Sequence, residues 1–249
     1  MIKTAYASSI GRIRKSNQDF VRVFQNKSGA TMAIVCDGMG GHQGGDVAST
    51  MAVSHLGHSF STTDFTDCES ARKWLDVQLN SENETILKTA DRFPDLNGMG
   101  TTIVLAVVFV EEALIAHLGD SRAYSYTAGE FSQLVEDHSL VNELVKMGQI
   151  TKQQAKHHPQ KNIITQALGV SSTIEPEFKQ IELHDNDVIL LCTDGLTNSL
   201  SDPQIQQILA TKELSLKERC RKLINEANRL GGGDNITVCL VVNEDGDKQ

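Results

Sequence analysis

Four aspartates stand beside a glycine at the ends of apolar segments, where carboxylates can serve as metal ligands. Apolar runs lead into Asp37-Gly38, Gly119-Asp120 and Asp194-Gly195, and Gly233-Asp234 directly precedes another apolar run. Each dipeptide alone is typical of a turn. Four carboxylates crowded against apolar strands would repel one another, and desolvation would raise their pKa values. Divalent cations relieve this repulsion, so the set predicts a metal site.

The ligand types favour a hard cation at this predicted site. Carboxylate oxygens without clustered His or Cys indicate Mg²⁺ or Mn²⁺ rather than zinc. The formal net charge of −9 also means that a phosphorylated substrate would need local cations. These features predict a metal-dependent phosphohydrolase.

Several other phosphate and hydrolase motifs do not occur in the sequence. The glycine-rich stretch from Gly38 to Gly45 has no Lys-Ser or Lys-Thr after it, which excludes a P-loop. No cysteine is followed six residues later by Arg, and neither His-Glu-x-x-His nor Gly-x-Ser-x-Gly is present. Spacing alone leaves a serine triad open. Asp185-Asn186-Asp187 precedes a strand and predicts a turn.

Length and composition indicate one soluble domain over residues 1–249. The chain has 39% hydrophobic residues and no Pro-rich or Ser/Gly-rich linker. Its negative charge argues against nucleic acid as a partner. The longest apolar run, Ile103 to Val110, is too short to span a membrane, so we expect a cytoplasmic monomer with no membrane partner. The five cysteines show no C-x-x-C pair and are expected to be buried free thiols.

Hydrophobic patterns predict strands alternating with helices. The predicted strands are Met32 to Cys36, Thr101 to Val110, Ala113 to Leu118, Arg122 to Tyr126, Asp187 to Cys192 and Asn235 to Val242. The predicted helices are Gly45 to His58, Cys68 to Ala90, Pro203 to Ala210 and Leu216 to Leu230. Short turns between Thr101 and Tyr126 predict an antiparallel meander. Antiparallel neighbours place one strand's end beside the next strand's start, so the four aspartates are expected to meet at one edge of the core.

A surface flap is predicted at about residues 141–168. It begins with a short helical pair between Ser139 and Gln154, in which Gly148 ends the first helix and Thr151 with Gln154 forms a capping box. The polar stretch that follows, up to Leu168, is rich in His, Gln and Lys.

Eight short motifs, in this order, resemble those of the PPM (PP2C-type) serine/threonine phosphatases, especially the compact bacterial enzymes. They are Gly11 to Asp19, Asp37 to His42, Gly98 to Thr102, Gly119 to Tyr124, Asp137 to Ser139, Asn162 to Gly169, Thr193 to Leu196 and Gly233 to Thr237. Each motif is weak alone, but the series is specific and covers nearly the whole chain.

The resemblance implies an α+β fold, an α-β-β-α sandwich of two antiparallel sheets flanked by helices, with a metal cluster at one end. It implies that Asp37 bridges two Mn²⁺ or Mg²⁺ ions, that Asp194 and Asp234 complete one, and that the Gly38 carbonyl joins the other. Asp120 with Asp194 resembles a third, weaker site.

Two further residues take catalytic roles by the same resemblance. Asp19 would orient water, and Arg14 would bind phosphate. The family mechanism is direct attack on phosphorus by water that the ions activate, without a phosphoenzyme. Animal relatives carry a histidine after their Asp-Gly as a proposed acid; here that position is Met39, so the acid role is not transferred to His42. His138 is expected to stabilise a turn.

The expected function is a phosphoserine/phosphothreonine protein phosphatase that opposes a Ser/Thr kinase. The expected partners are therefore phosphorylated proteins and a cognate kinase. The alternative is a catalytically weak regulator that binds phosphoproteins or a kinase.

Overall fold

Two antiparallel β-sheets packed face to face form the centre of the molecule. The structure, a computed structural model, describes residues 1–41 and 44–244. The strands are β1 (Ile2–Ser9), β2 (Asp19–Gln25), β3 (Thr31–Met39), β4 (Gly100–Thr101), β5 (Ile103–Val108), β6 (Glu112–Leu118), β7 (Arg122–Thr127), β8 (Glu130–Gln133), β9 (Glu177–Glu182), β10 (Val188–Cys192) and β11 (Ile236–Asn243). One sheet has the order β1-β11-β10-β7-β8; the other has the order β2-β3-β5-β6-β9, with β4 paired to β3.

Alternate residues of the central strands fill the layer between the sheets. Val35 and Ile115 from one sheet meet Leu191 and Val241 from the other in a continuous buried cluster. Because successive side chains of a strand point to opposite faces, the intervening residues face outward to the helices. The strands therefore read as continuous apolar runs, since both faces are covered.

Helices cover the outer face of each sheet. The α-helices of the described residues are α1 (Gly44–Ser61), α2 (Cys68–Arg92), α3 (Leu140–Lys146), α4 (Lys152–Lys156), α5 (Asp194–Thr197), α6 (Asp202–Leu209) and α7 (Leu216–Arg229). Helices α1 and α2 pack on the sheet that contains β3, and α6 and α7 pack on the sheet that contains β10. This is the expected α-β-β-α sandwich.

The predicted helices and the six predicted strands are present, with ends shifted by at most three residues. One shift concerns the site, because Asp37 and Gly38 lie inside β3 rather than after it. Five strands were not predicted: β1, β2, β4, β8 and β9. In β9 only Phe178 and Ile181 are apolar, and both are half-buried while the other four residues are exposed, so the strand carries little apolar signal.

The predicted meander is wrong at its second turn. Strands β5 and β6 pair as expected, but β7 belongs to the other sheet and pairs with β10 and β8. The segment Gly119-Asp120-Ser121 carries the chain from one sheet to the other. Gly119 has φ +116°, a backbone conformation that residues other than glycine rarely adopt, and Ser121 is buried. Asp120 consequently lies at the end of the sandwich, between the sheets.

The region predicted as a flap contains α3 and α4, with the expected capping box at Thr151. Gly148 has φ +71° just after α3, as expected for a helix end. The five cysteines are buried and free. Among the described residues, no helix combines the length and apolar character needed to span a bilayer.

Candidate active site

The aspartates singled out in the sequence lie at one end of the sandwich. Asp37 in β3 is directly opposite Asp19 in β2. Asp194 follows β10 and Asp234 precedes β11, its antiparallel neighbour. Asp120 lies in the crossover that follows β6. The antiparallel order thus places these five carboxylates at the same end, as the sequence predicted for four of them.

Burial and mutual repulsion raise the pKa values of four of these carboxyl groups. Burial, and then the charge of Asp19, raises the pKa of Asp37 well above its usual value. Burial raises the pKa of Asp19 to about 7, and burial together with the charge of Asp194 raises the pKa of Asp120 to about 7. The pKa of Asp194 is raised by burial and by Asp234. Anions held in this way would be strongly stabilised by a bound cation.

Two of the carboxylates have one oxygen fixed and the other free. Thr193 Oγ1 donates to Asp19 Oδ2 at 2.9 Å, and Asn198 Nδ2 donates to Asp194 Oδ2 at 2.8 Å. The remaining Oδ1 atoms of Asp19 and Asp194 are buried without a hydrogen-bond partner in the described part of the chain. Buried polar atoms normally have a partner. Oriented, unsatisfied carboxylate oxygens fit the ligand preference of Mg²⁺ or Mn²⁺.

The carboxylates do not converge on a single point. Within residues 1–41 and 44–244, no three of the aspartates have oxygens that all lie within 4.8 Å of one another. Asp234 instead pairs with Arg14, whose Nη2 donates to Asp234 Oδ2 at 2.6 Å. Such a spread fits several cations better than one, because paired ions in hydrolytic sites lie about 3.5–4 Å apart.

The glycines beside Asp37 and Asp194 are required by backbone packing. A Cβ on Gly38 would lie 1.9 Å from the carbonyl oxygen of Gly45, and a Cβ on Gly195 would lie 1.9 Å from that of Asn235. No side chain fits at either position. The Asp-Gly pairs therefore bring the start of α1 against β3, and the start of α5 against the segment before β11. Whether the Gly38 carbonyl is also a ligand stays a prediction.

Asn235, which the sequence analysis did not single out, holds the loop that carries Arg14. Its Nδ2 donates to the carbonyls of Ile10 and Ser16, both at 2.9 Å, and its Oδ1 accepts from the Gln18 amide at 2.8 Å. The loop is thereby fixed beside Asp234. The position of Asn235 inside the Gly233 to Thr237 motif was the sequence signal that could have identified it.

A hydroxyl pair links Asp37 to the crossover that carries Asp120. Thr102 Oγ1 accepts from the Asp37 amide at 3.1 Å and lies 2.7 Å from Ser121 Oγ. Both hydroxyl-bearing residues are fully buried. The strand with Asp37 and the turn with Asp120 are thus held in a fixed relation.

Arg122 brings positive charge close to the acidic end. It forms a fork with Asp137, with Nε to Oδ1 at 2.7 Å and Nη2 to Oδ2 at 2.6 Å. Its charge lowers the pKa values of Asp120 and Asp194, opposing the effect of burial. Both members of this pair lie in the quoted motifs, but their contact could not be inferred from spacing.

The histidines considered in the sequence have different outcomes. His42 lies outside the described residues. His138 does hold a turn: its amide donates to the Gly119 carbonyl at 2.7 Å, and its Nδ1 accepts from the Gly119 amide at 3.2 Å. The general acid stays unassigned.

The thiols do not offer a nucleophile. Burial raises the pKa of Cys192 to about 12, and that of Cys36 well above its usual value. A thiol that stays protonated at neutral pH is unreactive.

Comparison with known proteins finds a family model and relatives that cover most of the chain. The family model described as "Protein phosphatase 2C" matches residues 12–227. The protein phosphatase PhpP of Streptococcus pneumoniae is 42% identical over 234 residues, which are 94% of this chain and 94% of that protein.

Solved structures are similar over almost the whole chain. The S. agalactiae serine/threonine phosphatase has a TM-score of 0.94 and 43% identity, covering 98% of this chain and 100% of that one. The catalytic domain of the serine/threonine protein phosphatase PstP, in complex with two manganese ions, has a TM-score of 0.84 and 32% identity, covering 98% and 99%.

Proposed function

Because the chain belongs to the protein phosphatase 2C family, we propose that it is a metal-dependent phosphatase that hydrolyses phosphoserine and phosphothreonine in proteins. The observation that carries this proposal is the group of aspartates at one end of the sandwich, with Arg14 beside them. Asp19 is buried and the other four aspartates are half-buried. Clustered carboxylates with raised pKa values oppose folding unless cations bind, and they are typical of functional sites. The relatives are named as phosphatases, and the alternative of a weak binding regulator has no support.

Four of the aspartates have proposed roles as metal ligands. Asp37, Asp194 and Asp234 would hold two divalent cations, with the Gly38 carbonyl as a further ligand, and Asp120 would contribute to a third. Such ions supply an activated water and neutralise charge on the phosphoryl group. The PstP complex supports manganese as the first choice; magnesium has the same ligand preference.

Asp19 and Arg14 are proposed to act on water and substrate. The free Oδ1 of Asp19 can accept a hydrogen bond from a water molecule and so orient it, while Thr193 holds the other oxygen. Arg14 would bind the phosphoryl oxygens through two parallel N–H donors. Its side chain is half-exposed, so it can reach a substrate.

The biological setting follows from the substrate class. We place the phosphatase opposite a Ser/Thr kinase in the cytoplasm, acting as a monomer on phosphorylated proteins. The region at about 141–168 would shape the approach of those proteins.

Hydrolysis of a phosphothreonine peptide by the purified chain tests the proposal. We expect turnover with Mn²⁺ or Mg²⁺ and its loss in EDTA. Asp37→Asn should lower kcat by at least about a thousandfold, because the cations contribute several kcal/mol to transition-state stabilisation. The matched control is Asp185→Asn, an exposed aspartate in the turn before β10. Turnover that resists EDTA, or equal rates for the two variants, would contradict the proposal.

A further inference from the structure

His117 is out of place in the apolar layer between the sheets. It follows Ala113 and Ile115 on the inward face of β6, where both of those residues belong to the inter-sheet cluster. Its side chain is fully buried, and neither ring nitrogen makes a hydrogen bond of normal geometry in the described part of the chain, although the backbone of Gly119 and Ser121 lies close to the ring. A buried imidazole without partners is rare and unfavourable.

Two further side chains that could bind a metal ion lie close to His117. Glu177 is its direct cross-strand partner in the pairing of β6 with β9. The ring of His138 lies 4.5 Å from the His117 ring, centroid to centroid. His138 Nε2 lies 3.4 Å from Glu177 Oε1. In residues 1–41 and 44–244, this is the only group of three such side chains whose ligand atoms all lie within 4.8 Å of one another.

We propose that His117, His138 and Glu177 form a binding site for a borderline divalent cation such as zinc, separate from the aspartates. Two imidazoles and one carboxylate form a known zinc ligand set, which leaves a fourth position for water. Ligands about 2.1 Å from a tetrahedral ion lie about 3.4 Å apart, which is the separation already present between His138 and Glu177. The hard-ion aspartates have a different chemistry.

The neutral state of His117 and the access to the site both suit this role. Burial, reinforced by the nearby His138, lowers the pKa of His117 to about 3, so its ring is neutral and a lone pair is available at neutral pH. Glu177 is about half-exposed, so a cation can enter from its side, whereas His138 is only 10% exposed. The site is therefore closed at its inner end and open at its outer end.

The site connects to the acidic end through Gly119. His138 Nδ1 accepts from the Gly119 amide, which leaves the ring proton on Nε2, facing Glu177. A cation on Nε2 replaces that proton and requires Nδ1 to carry one, so the Gly119 amide loses its acceptor. Because Gly119 precedes Asp120, loading the site would alter the crossover turn.

Zinc binding to the full-length chain tests the site directly, without measuring turnover. The background is the double variant Asp37→Asn, Asp234→Asn, in which the acidic end is a poor competitor for zinc. Competition with a chromogenic chelator measures affinity, and Co²⁺ reports tetrahedral His and carboxylate ligation by its ligand-field spectrum. We expect about one tightly bound zinc per chain.

Glu177→Gln on this background should weaken zinc binding by at least about tenfold and abolish the tetrahedral cobalt spectrum. Its exposed position makes misfolding a minor concern, and thermal melting checks the fold. The matched control is Glu182→Gln, an exposed glutamate at the other end of β9. No zinc binding by the background, or equal affinity with and without Glu177, would overturn the site.

Discussion

The acidic end of the sandwich and the apolar layer between the sheets are built on the same strands but have opposite energetics. Val35 and Asp37 are two positions apart on β3, so they point to the same face. Val35 is fully buried among apolar side chains, whereas Asp37 is half-buried among carboxylates that raise its pKa. The layer stabilises the fold, and the acidic end opposes it unless cations bind.

This difference shows where a sandwich can hold reactive groups. Side chains at strand ends keep the rigid positions set by the layer, but they no longer have to complete its packing. Residues selected for function commonly reduce stability. The comparison therefore predicts that substitutions in the two regions change stability in opposite directions.

The largest effect is expected for a substitution in the apolar layer. Leu191→Ala removes a fully buried side chain from β10 and should lower the free energy of unfolding by about 2–5 kcal/mol. Asp37→Asn should instead raise the melting temperature of the metal-free protein, because it removes a repelling carboxylate. Urea and thermal unfolding in EDTA measure both. If Asp37→Asn destabilises the metal-free chain, the contrast between the two regions is wrong.

A pH dependence should separate the regions next. Asp120 has a usual pKa of 3.8 that burial and Asp194 raise to about 7, so between these values the native state binds more protons than the unfolded state. Raising the pH through this interval therefore favours unfolding of the metal-free protein. In EDTA, the melting temperature of Asp120→Asn relative to wild type should rise from about pH 4 to about pH 7. Asp185→Asn should show no such rise. If the difference in melting temperature between Asp120→Asn and wild type does not change with pH, Asp120 is not destabilised by burial and repulsion as inferred.

Much of the fold could be predicted because its local signals are strong. Continuous apolar runs identify the central strands, and the capping box at Thr151 identifies a short helix. Strand β9 was missed because its two apolar residues, Phe178 and Ile181, are three positions apart and form no apolar face. The crossover at Gly119 was misread as a hairpin, since the same small polar residues suit either connection and only packing decides between them.

The aspartates were predictable as a group, but their supporting contacts were not. Strand order alone brings Asp37 and Asp234 to one end of the core. Asn235, by contrast, acts through carbonyls 225 and 219 residues away in sequence, and His117 meets Glu177 only through the pairing of β6 with the unpredicted β9. Contacts of this kind depend on register between distant segments.

The smallest effect is expected at Asn235, which lies between Asp234 of the acidic end and the start of strand β11. Asn235→Ala removes three hydrogen bonds to the loop that carries Arg14, but water can reach much of that loop, so the loss of stability should be about 1–2 kcal/mol. Activity should fall by about tenfold to a hundredfold, because a small displacement of a substrate-binding group is costly. The control is Asn80→Ala, an exposed asparagine whose side chain bonds only within α2. A residue that positions Arg14 must affect turnover more than folding. A large loss of stability with unchanged activity would therefore mean that Asn235 serves the fold and does not position Arg14.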